Sequence, residues 1–342
     1  MKKVTLLVAI CTIMASVASA QNRLLLSAYR YHKTDSVIAE AYVTDSLPYV
    51  YKLKGKGSAW LYFNSRNELC IKPGKSQSLP ASLEITVTGT YKKKKISADF
   101  LLLEDNFARN KVVAHRGAWK NTGATENSIA SLKHAIDMGC QGSEFDVHMT
   151  SDSVLVIHHD PDMEGMRIAT TPAKDLFLKK LSNGETLPTL QQYITTGTKQ
   201  FSTELYLEIK SNAGPEYVKA LTDKSVAEVV RQKAQAWVIY ISFDTAVLKR
   251  VLQLDPFAQV AYLKGDLSPE QVAAYKFTGI DYHYSVFQKH PEWIAQAQQL
   301  KLSVNAWTVN DGPVMDALLQ QKADLITTNE PEMLMKKISA AK

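Results

Sequence analysis

Short apolar runs alternate with longer amphipathic stretches along the chain after residue 110. The short runs are rich in β-branched and aromatic residues, which is typical of buried strands. In the stretch Glu126–Met138, apolar residues such as Ile129 and Leu132 recur with a spacing that predicts a helix. The strand-like runs are Lys111–Ala114, Ser143–Met149, Leu205–Ile209, Trp237–Phe243, Gln259–Leu263, Gly279–His283, Ser303–Val309 and Asp324–Thr328.

Helical patterns lie between most of these runs. Alternation of strands with helices predicts a parallel sheet, and hence the α/β fold class. Eight strand-like runs in little more than two hundred residues fit a (β/α)8 TIM-type barrel. The alternative is an open doubly wound sheet, but no glycine-rich phosphate loop follows the first strand. The further helical patterns are Glu216–Lys233, Thr245–Leu254, Pro269–Lys276, Pro291–Leu300 and Pro313–Gln321.

Residues 21–108 have a different pattern. Apolar and polar positions alternate in short runs, which turn-forming residues such as Lys72-Pro73-Gly74 separate. The pattern predicts an all-β, sandwich-like accessory domain. The lysine run Lys92–Lys95 predicts a solvated hairpin tip, with contact to an anionic surface as the alternative. The strand-like runs here are Ser36–Val43, Ala59–Phe63, Leu83–Thr90 and Ile96–Leu103.

One further run interrupts the alternation of strands and helices. Val154–His159 is strand-like but follows Ser143–Met149 after a short turn at Ser151-Asp152, and so tight a turn joins only antiparallel strands. Centring the turn between those two residues places Glu144 opposite His159. We therefore expect a hairpin in this register at the barrel mouth, which a slip of one residue would change.

The amino terminus has the pattern of a secretory signal peptide. Lys2 and Lys3 precede an apolar run, Val4–Met14, that is too short to span a bilayer. Ala18-Ser19-Ala20 fits the small-residue cleavage pattern, so an exported protein, periplasmic or extracellular, is expected. Lipidation at Cys11 is the alternative, which the bulky residue before it disfavours. No later apolar stretch is long enough for a transmembrane segment in the mature chain.

The predicted domains are a signal peptide at 1–20, the accessory domain at 21–108 and the barrel at 109–342. Formal net charge is +6, and loss of the two signal-peptide lysines leaves about +4, far from a nucleic-acid-binding protein. Cys70 and Cys140, in different predicted domains, are expected to be buried thiols, with a disulfide as the alternative. The sequence gives no indication of oligomeric state.

Polar residues cluster at the carboxyl ends of the predicted barrel strands, where such barrels have their active sites. Glu144 and Asp146 are two residues apart on one strand and therefore share a face. Glu208 and Lys210 do the same on the next parallel strand. Three converging carboxylates need protons or a cation, and oxygen-only ligands suit Ca²⁺ or Mg²⁺ better than zinc. The alternative is that these acids pair with Arg116 and Lys210.

Several short segments resemble the glycerophosphodiester phosphodiesterases. No single segment is specific, but their order and spacing over residues 111–338 are, and residues before 111 lie outside the resemblance. The matching segments are Val113-Ala114-His115-Arg116-Gly117, Glu126-Asn127-Ser128, Glu144-Phe145-Asp146-Val147, Val156-Ile157-His158-His159-Asp160, Leu207-Glu208-Ile209-Lys210, Ala306-Trp307-Thr308-Val309-Asn310 and Asp324-Leu325-Ile326-Thr327-Thr328-Asn329.

The resemblance implies metal-dependent hydrolysis of glycerophosphodiesters to an alcohol and sn-glycerol 3-phosphate. It implies that the ligands of one divalent cation, Ca²⁺ or Mg²⁺, are Glu144, Asp146 and Glu208. It also implies that His115 and His159 are the general acid and base. By the same resemblance, attack by the glycerol 2-hydroxyl gives a cyclic phosphate that water then opens. The residues alone are equally compatible with direct attack by water.

The same resemblance assigns substrate-binding residues. Arg116 and Lys210 would contact the phosphate, and Glu126 would orient Arg116. The alternative for Glu126 is an acid favoured at a helix amino terminus. Trp307, at a strand end, is expected either to stack on a choline-like head group or to be a core aromatic residue.

Two other functions are compatible with these residues. A related phospholipase-type phosphodiesterase acting on intact lipid would need an exposed apolar rim, and the chain has no run of that kind. A non-catalytic phosphate-binding barrel would be expected to lose histidines or acids, and all of them are present here. The substrate expected is thus a small glycerophosphodiester, with its alcohol unspecified.

Overall fold

A computed structural model describes residues 22–340 of the chain, so the predicted signal peptide lies outside the described residues. Two four-stranded sheets come first and an eight-stranded barrel follows. The strands of the two amino-terminal sheets are β1 (Leu24–Leu26), β2 (Arg30–Tyr31), β3 (Val37–Val43), β4 (Val50–Lys54), β5 (Leu61–Phe63), β6 (Glu68–Ile71), β7 (Ser82–Tyr91) and β8 (Lys94–Glu104).

Eight parallel strands close into a barrel, because the first strand pairs with both the second and the last. The predicted TIM-type barrel is therefore confirmed. Strand β11 pairs with the upper part of β10 outside the closed ring. The strands of this region are β9 (Val112–Ala114), β10 (Gly142–Met149), β11 (Leu155–Ile157), β12 (Asp162–Met163), β13 (Met166–Arg167), β14 (Glu204–Ile209), β15 (Val238–Ser242), β16 (Gln259–Tyr262), β17 (Gly279–His283), β18 (Ser303–Trp307) and β19 (Leu325–Thr328).

Helices follow most barrel strands, and side-chain caps begin several of them. Ser128 starts the first helix and accepts from the backbone N–H of Ser131, a capping box. Within residues 22–340, no helix combines the length and hydrophobicity that crossing a bilayer requires. The helices are α1 (Ile129–Asp137), α2 (Ala173–Leu176), α3 (Leu190–Gly197), α4 (Pro215–Arg231), α5 (Thr245–Leu254), α6 (Pro269–Ala274), α7 (Tyr284–Lys289), α8 (Glu292–Gln299), α9 (Gly312–Gln320) and α10 (Pro331–Ala340).

The β10–β11 hairpin forms, but its predicted register is wrong by one residue. Val147 pairs with Ile157, and His158 continues the ladder by donating its N–H to the carbonyl of Asp146. In this register His159 is not opposite Glu144. Ser153 has a φ of 67°, so the turn extends one residue further than the predicted centre between Ser151 and Asp152. Ladder pairing ends before His159, which leaves its side chain free to turn toward the barrel axis.

The amino-terminal region consists mainly of β-strands, as predicted, but one pair of strands is parallel, which the sequence did not indicate. Their strand orders are β1-β3-β6-β5 and β2-β8-β7-β4. All pairs are antiparallel except β2 with β8, where Arg30 lies beside Leu103. The long β7–β8 hairpin turns at Lys92, so the lysine run is a hairpin tip. The proposed division at residues 108 and 109 stays a prediction, since one hydrophobic core joins both parts.

The amino-terminal sheets contact the end of the barrel at which the strands begin. The Arg30 guanidinium lies 3.8 Å above the ring centroid of Phe107 and bonds to the carbonyl of Ala236. The ring of Phe107 meets that of Trp237 edge-on at 6.5 Å. These contacts of the amino-terminal sheets therefore lie away from the opposite end of the barrel, where the strands finish.

Both cysteines of the described chain are free and buried. Cys70 lies on β6, and Cys140 precedes β10 of the barrel. The expectation of two buried thiols is thus confirmed.

Candidate active site

A cavity of 110 Å³ opens at the carboxyl ends of the barrel strands. It brings together seven of the nine predicted site residues: His115, Arg116, Glu144, His159, Glu208, Lys210 and Trp307. The other two lie directly behind this lining, Asp146 against Lys210 and Glu126 against Arg116. The cavity also includes Ile241, Phe243, Leu263, Asp281, Thr308 and Thr327.

Three carboxylates converge at the floor of this cavity. Glu144 and Asp146 lie on β10, and the register of β10 with β14 places Asp146 directly beside Glu208. One oxygen from each carboxylate lies within 4.8 Å of the others. The three residues are only 4%, 1% and 9% exposed, respectively. Burying three acids together is costly unless cations or protons neutralise them.

One ammonium group supplies most of that neutralisation. Lys210 Nζ lies 2.7 Å from Asp146 Oδ1 and 2.8 Å from Glu208 Oε1. Glu144 Oε2 accepts the backbone N–H of Arg116, whereas Glu144 Oε1 is buried without a hydrogen-bond partner. The cluster is thus short of positive charge, and the shortage is at Glu144.

The pKa values follow from this imbalance. Burial, together with the neighbouring Asp146 carboxylate, raises the pKa of Glu144 well above its usual value. Burial also raises the pKa of Glu208 to about 7, although Lys210 opposes the effect. Burial acts in the same direction on Asp146, but the Lys210 ammonium outweighs it and holds the pKa of Asp146 below its usual range. Two of the three acids therefore hold their protons more tightly than an exposed glutamate does, and another cation would favour their ionised forms.

This set of donors fits a hard divalent cation. The ligand atoms are all carboxylate oxygens, which Ca²⁺ and Mg²⁺ prefer, and the unpartnered Glu144 Oε1 is a buried acceptor that a cation would satisfy. Asn127 supports the arrangement from behind, because its amide donates to Asp146 Oδ2 at 2.8 Å and accepts from the Asp146 N–H at 3.1 Å.

His115 follows β9 directly, and an asparagine orients its ring. Its Nδ1 lies 2.8 Å from Asn329 Oδ1, an acceptor, so Nδ1 carries the proton. Its Nε2 then has a free lone pair and lies 3.9 Å from Glu144 Oε2. Burial lowers the pKa of His115 to about 4, and Arg116 adds to the effect. The ring is therefore neutral at neutral pH.

His159 lies across the cavity, just beyond β11, and a carboxylate orients its ring. Its Nδ1 is 2.7 Å from Asp160 Oδ1. Burial lowers its pKa despite the nearby Asp146 carboxylate. A second histidine holds the backbone here, since buried His148 on β10 donates from Nε2 to the carbonyl of His159 at 3.2 Å. His115 and His159, which have different hydrogen-bond partners, therefore line the same cavity.

Arg116 owes its position to an unusual backbone. Its φ is 57° and that of Gly117 is 79°, both in the left-handed region. A Cβ on Gly117 would also collide with Ser131, so the helix can approach only a glycine here. Nη1 of Arg116 donates to both oxygens of Glu126, at 3.0 and 2.9 Å. The guanidinium is thereby fixed beside the cavity, with its Nε 3.9 Å from Asp146.

Aromatic side chains form one wall of the cavity. Trp307 is half-buried, and its indole N–H donates to the carbonyl of Asp281 at 2.8 Å. Its ring meets Phe243 and His283 edge-on, at centroid distances of 5.5 and 5.3 Å. The ring is therefore held in place by packing while it still borders the open space of the cavity.

Sequence reasoning missed the residues that hold this site from behind. Asn127 and Asn329 lie within segments that the resemblance includes, but neither was assigned a role. His148, which lies two residues after Asp146 on the same face of β10, was not singled out. The two-residue spacing from Asp146 is the signal that could have identified it.

Comparison with known proteins agrees with this geometry. The model of the glycerophosphoryl diester phosphodiesterase family matches residues 115–333. A glycerophosphodiester phosphodiesterase from Caldanaerobacter subterraneus is 28% identical over 239 residues, which span 66% of this chain and 96% of that protein.

Solved structures show the same likeness. A crystal structure of a glycerophosphodiester phosphodiesterase from Parabacteroides distasonis is 42% identical, with a TM-score of 0.67, and the match covers 69% of this chain and all of that one. A phosphodiesterase from Oleispira antarctica, solved with its product sn-glycerol-3-phosphate, shares the fold at 24% identity and a TM-score of 0.56, over 67% of this chain and 96% of its own. With the family model matching well over half of its length, this chain belongs to the glycerophosphoryl diester phosphodiesterase family.

Proposed function

We propose that the protein hydrolyses small glycerophosphodiesters to an alcohol and sn-glycerol 3-phosphate and needs a divalent cation to do so. The observation that carries the proposal is the three buried carboxylates, with one unpartnered oxygen on Glu144, in the same cavity as two histidines. The product found in the Oleispira antarctica structure supports the identity of the phosphate product.

Glu144, Asp146 and Glu208 would hold the cation, which supplies positive charge to the phosphoryl oxygens when it is bound. Arg116 and Lys210 line the same cavity and add two further positive charges. A phosphodiester is an anion that repels nucleophiles, so these groups lower the barrier by neutralising charge that develops in the transition state. Glu126 keeps Arg116 turned toward the substrate through its two hydrogen bonds.

His115 and His159 would move the protons. One takes the proton from the attacking hydroxyl and the other gives one to the leaving alkoxide, and each must lie within reach of the same phosphate. Both histidines line a cavity of 110 Å³, so one small substrate can touch both. Asn329 and Asp160 hold the two rings at Nδ1, which leaves each Nε2 for proton transfer.

A chelator experiment tests the proposal. Release of glycerol 3-phosphate is measured from glycerophosphocholine, glycerophosphoethanolamine and glycerophosphoglycerol, before and after treatment with EDTA. We expect EDTA to abolish release and Ca²⁺ or Mg²⁺ to restore it. Full turnover in EDTA would contradict the proposed requirement for a cation. Lysophosphatidylcholine serves as the intact-lipid control and should give no product.

The cation can also be followed without turnover. A ligand that binds only the folded state raises the unfolding temperature in proportion to the logarithm of its concentration. We expect Ca²⁺ or Mg²⁺ at about a hundred times its Kd to stabilise the protein by roughly 2.7 kcal/mol. In the same titration, the unfolding temperature of a Glu144→Gln variant should rise much less. Equal rises in the two proteins would show that Glu144 is not a ligand of the cation.

We further propose that residues 1–20 direct export and are removed before Gln21. The support is the sequence alone, a basic start followed by a short apolar run and small residues at the cleavage position. Amino-terminal sequencing of the protein from the periplasm or medium should begin at Gln21. Recovery of an uncleaved chain in the cytoplasm alone would contradict this.

A further inference from the structure

The edge of one amino-terminal sheet carries lysines that the proposed reaction does not use. Strand β4 is the outer strand of its sheet, and the β7–β8 hairpin turns beside it. Five lysines on this strand and hairpin are exposed, and none forms an ion pair with another residue in the range 22–340. We name these residues the lysine edge: Lys52, Lys54, Lys92, Lys93 and Lys95.

Strand register gathers most of the lysine edge on one face. Lys52 and Lys54 are two residues apart on β4 and share its outer face. The row beside Lys52 contains Val50, Thr90 and Lys95, one residue from each strand of the three-stranded ribbon. The tip follows directly after this row, so positive charge is concentrated at one end of the sheet.

Acids on the same face are already engaged. Asp99 accepts a hydrogen bond from Thr86 at 2.7 Å. Glu84, further along β7, lies 3.2 Å from Lys233 of the barrel. Asp99 shares its row with Lys54 rather than with the tip, and Asp45 offsets only Lys94, so positive potential remains at the hairpin tip.

The tip also carries a local conformational cost. Lys92 has a φ of 50°, in the left-handed region where glycine and asparagine are favoured. Four consecutive lysines repel one another in addition. Asparagine at position 92 suits the same backbone without the charge, so Lys92→Asn removes charge from the tip without adding strain.

We propose that the lysine edge docks the protein on an anionic phospholipid surface. Each lysine near such a surface adds electrostatic attraction, which falls off within a Debye length. Val50, which is 60% exposed among the lysines, can enter the head-group layer, an apolar contact that a soluble polyanion would not use. Single-stranded nucleic acid stacks on free aromatic rings, but Tyr91 at the tip packs against Tyr49 instead.

Docking in this way leaves the active site facing solvent. The β7–β8 hairpin contacts the barrel at its other end, about ten residues or roughly 30 Å from the tip. The amino-terminal sheets contact the ends at which the barrel strands begin, whereas the catalytic cavity lies where the strands finish. A docked molecule would therefore take water-soluble substrate near a membrane. Docking does not depend on the proposed hydrolysis, so either can fail alone.

Vesicle co-sedimentation tests the docking. The probes are phosphatidylcholine vesicles with and without about one-third phosphatidylglycerol, at low and high salt. The variant Lys52→Thr/Lys92→Asn/Lys95→Thr removes three charges with residues that suit the strands and the left-handed tip. The matched control is Lys276→Asn/Lys301→Asn/Lys322→Asn, which removes three exposed lysines, also at positive φ, from the barrel.

We expect the wild type and the control to bind the anionic vesicles alike, and the lysine-edge variant to bind about a hundredfold more weakly. Binding should vanish at high salt and on neutral vesicles. All proteins are prepared with the same amino terminus, so any contribution of the apolar run near residue 4 cancels. If both triple variants lost vesicle binding equally, net charge alone would explain the binding, and the proposal would be overturned. Binding to dextran sulfate with none to vesicles would overturn it as well.

Discussion

The two ends of the barrel each hold a cluster of charged side chains, and the clusters are balanced differently. At the end where the strands begin, Arg30 Nη1 lies 2.6 Å from Glu204 Oε1, and Tyr206 donates to the other oxygen of Glu204. Arg109 bonds to both oxygens of Asp105. Each of these two carboxylates therefore has its own guanidinium group, and the 480 Å³ cavity beside them, which Asp281 and Asp324 also line, is larger than the 110 Å³ catalytic cavity.

At the catalytic end, three carboxylates share one ammonium group and one oxygen of Glu144 has no partner. The difference teaches that the pairing of individual carboxylates with guanidinium groups, rather than cavity volume, separates a structural ion-pair cluster from a site prepared for a ligand. A balanced network is complete within the folded chain. A network short of one cation is completed only by something that binds to it.

The sharpest way to break this comparison is to remove one acid from each end. Glu204→Gln removes the nearer anion of Arg30 and leaves only Asp105, at 3.9 Å, so we expect the free energy of unfolding to fall by about 2 kcal/mol with kcat/KM unchanged. Glu144→Gln removes a repelled carboxylate and a proposed ligand. We expect kcat/KM to fall more than about a hundredfold, with no loss of stability in the cation-free protein.

Chemical denaturation and steady-state kinetics on both variants measure the two quantities. If Glu144→Gln destabilised the cation-free protein as much as Glu204→Gln, the catalytic cluster would be a structural network like the other.

The proposed proton-transfer residues give the next effect. His115→Ala and His159→Ala should each lower kcat by about a hundredfold or more, because each removes a general acid or base. His32→Ala, an exposed histidine at the opposite end of the barrel, is the control and should keep wild-type kcat. Near-normal turnover in either cavity variant would remove that histidine from the mechanism.

The effect of pH sharpens the comparison further. Cation binding must displace protons from the carboxyls whose pKa values burial has raised, Glu144 and Glu208. With the pKa of Glu208 at about 7, this acid alone should lower the affinity for Ca²⁺ or Mg²⁺ about tenfold from pH 8 to pH 6, and Glu144 should add to the fall. Calorimetric titration at the two pH values measures this, and a constant affinity would show that the acids are already ionised.

The smallest expected effect concerns the orientation of His115. Asn329→Ala removes one neutral hydrogen bond to its Nδ1, which corresponds to about 1 kcal/mol. We expect kcat to fall about fivefold, with little change in KM because the asparagine does not line the cavity. A rise in KM with normal kcat would instead indicate a contact between Asn329 and substrate.

The barrel itself was largely predictable from the sequence. All eight strand-like runs and the six helical patterns coincide with observed elements, in the case of Thr245–Leu254 with the same bounds. The pattern of apolar residues suffices here, because buried parallel strands have short continuous apolar runs whereas amphipathic helices have apolar residues every three or four positions. Helix α7 begins immediately after β17, so it has no flanking turn residues that would mark it off. Helix α10 begins at Pro331, which is a helix-start signal, but no prediction was attached to it.

Details that depend on tertiary contacts were not predictable. The hairpin register depended on where one turn residue, Ser153, adopts a left-handed φ. The bond between Asn329 and His115 joins residues 214 positions apart, and the support from His148 ends on a backbone carbonyl, which leaves no trace in residue type. The sequence indicated that the three carboxylates converge and need protons or a cation, but only the structure shows that Glu144 is the acid with an unpartnered oxygen.

The contact of Arg30 and Phe107 with the barrel has a consequence for protein engineering. A barrel truncated at residue 109 would lose Arg30, the nearer of the two guanidinium groups beside Glu204, and would expose the face of Trp237 that Phe107 covers. Such a fragment would leave Glu204 with only Arg109, at 3.6 Å, and would expose an apolar surface at the same end, so it would tend to aggregate. A stand-alone barrel therefore needs redesign at Glu204 and Trp237 before its domain boundary is cut.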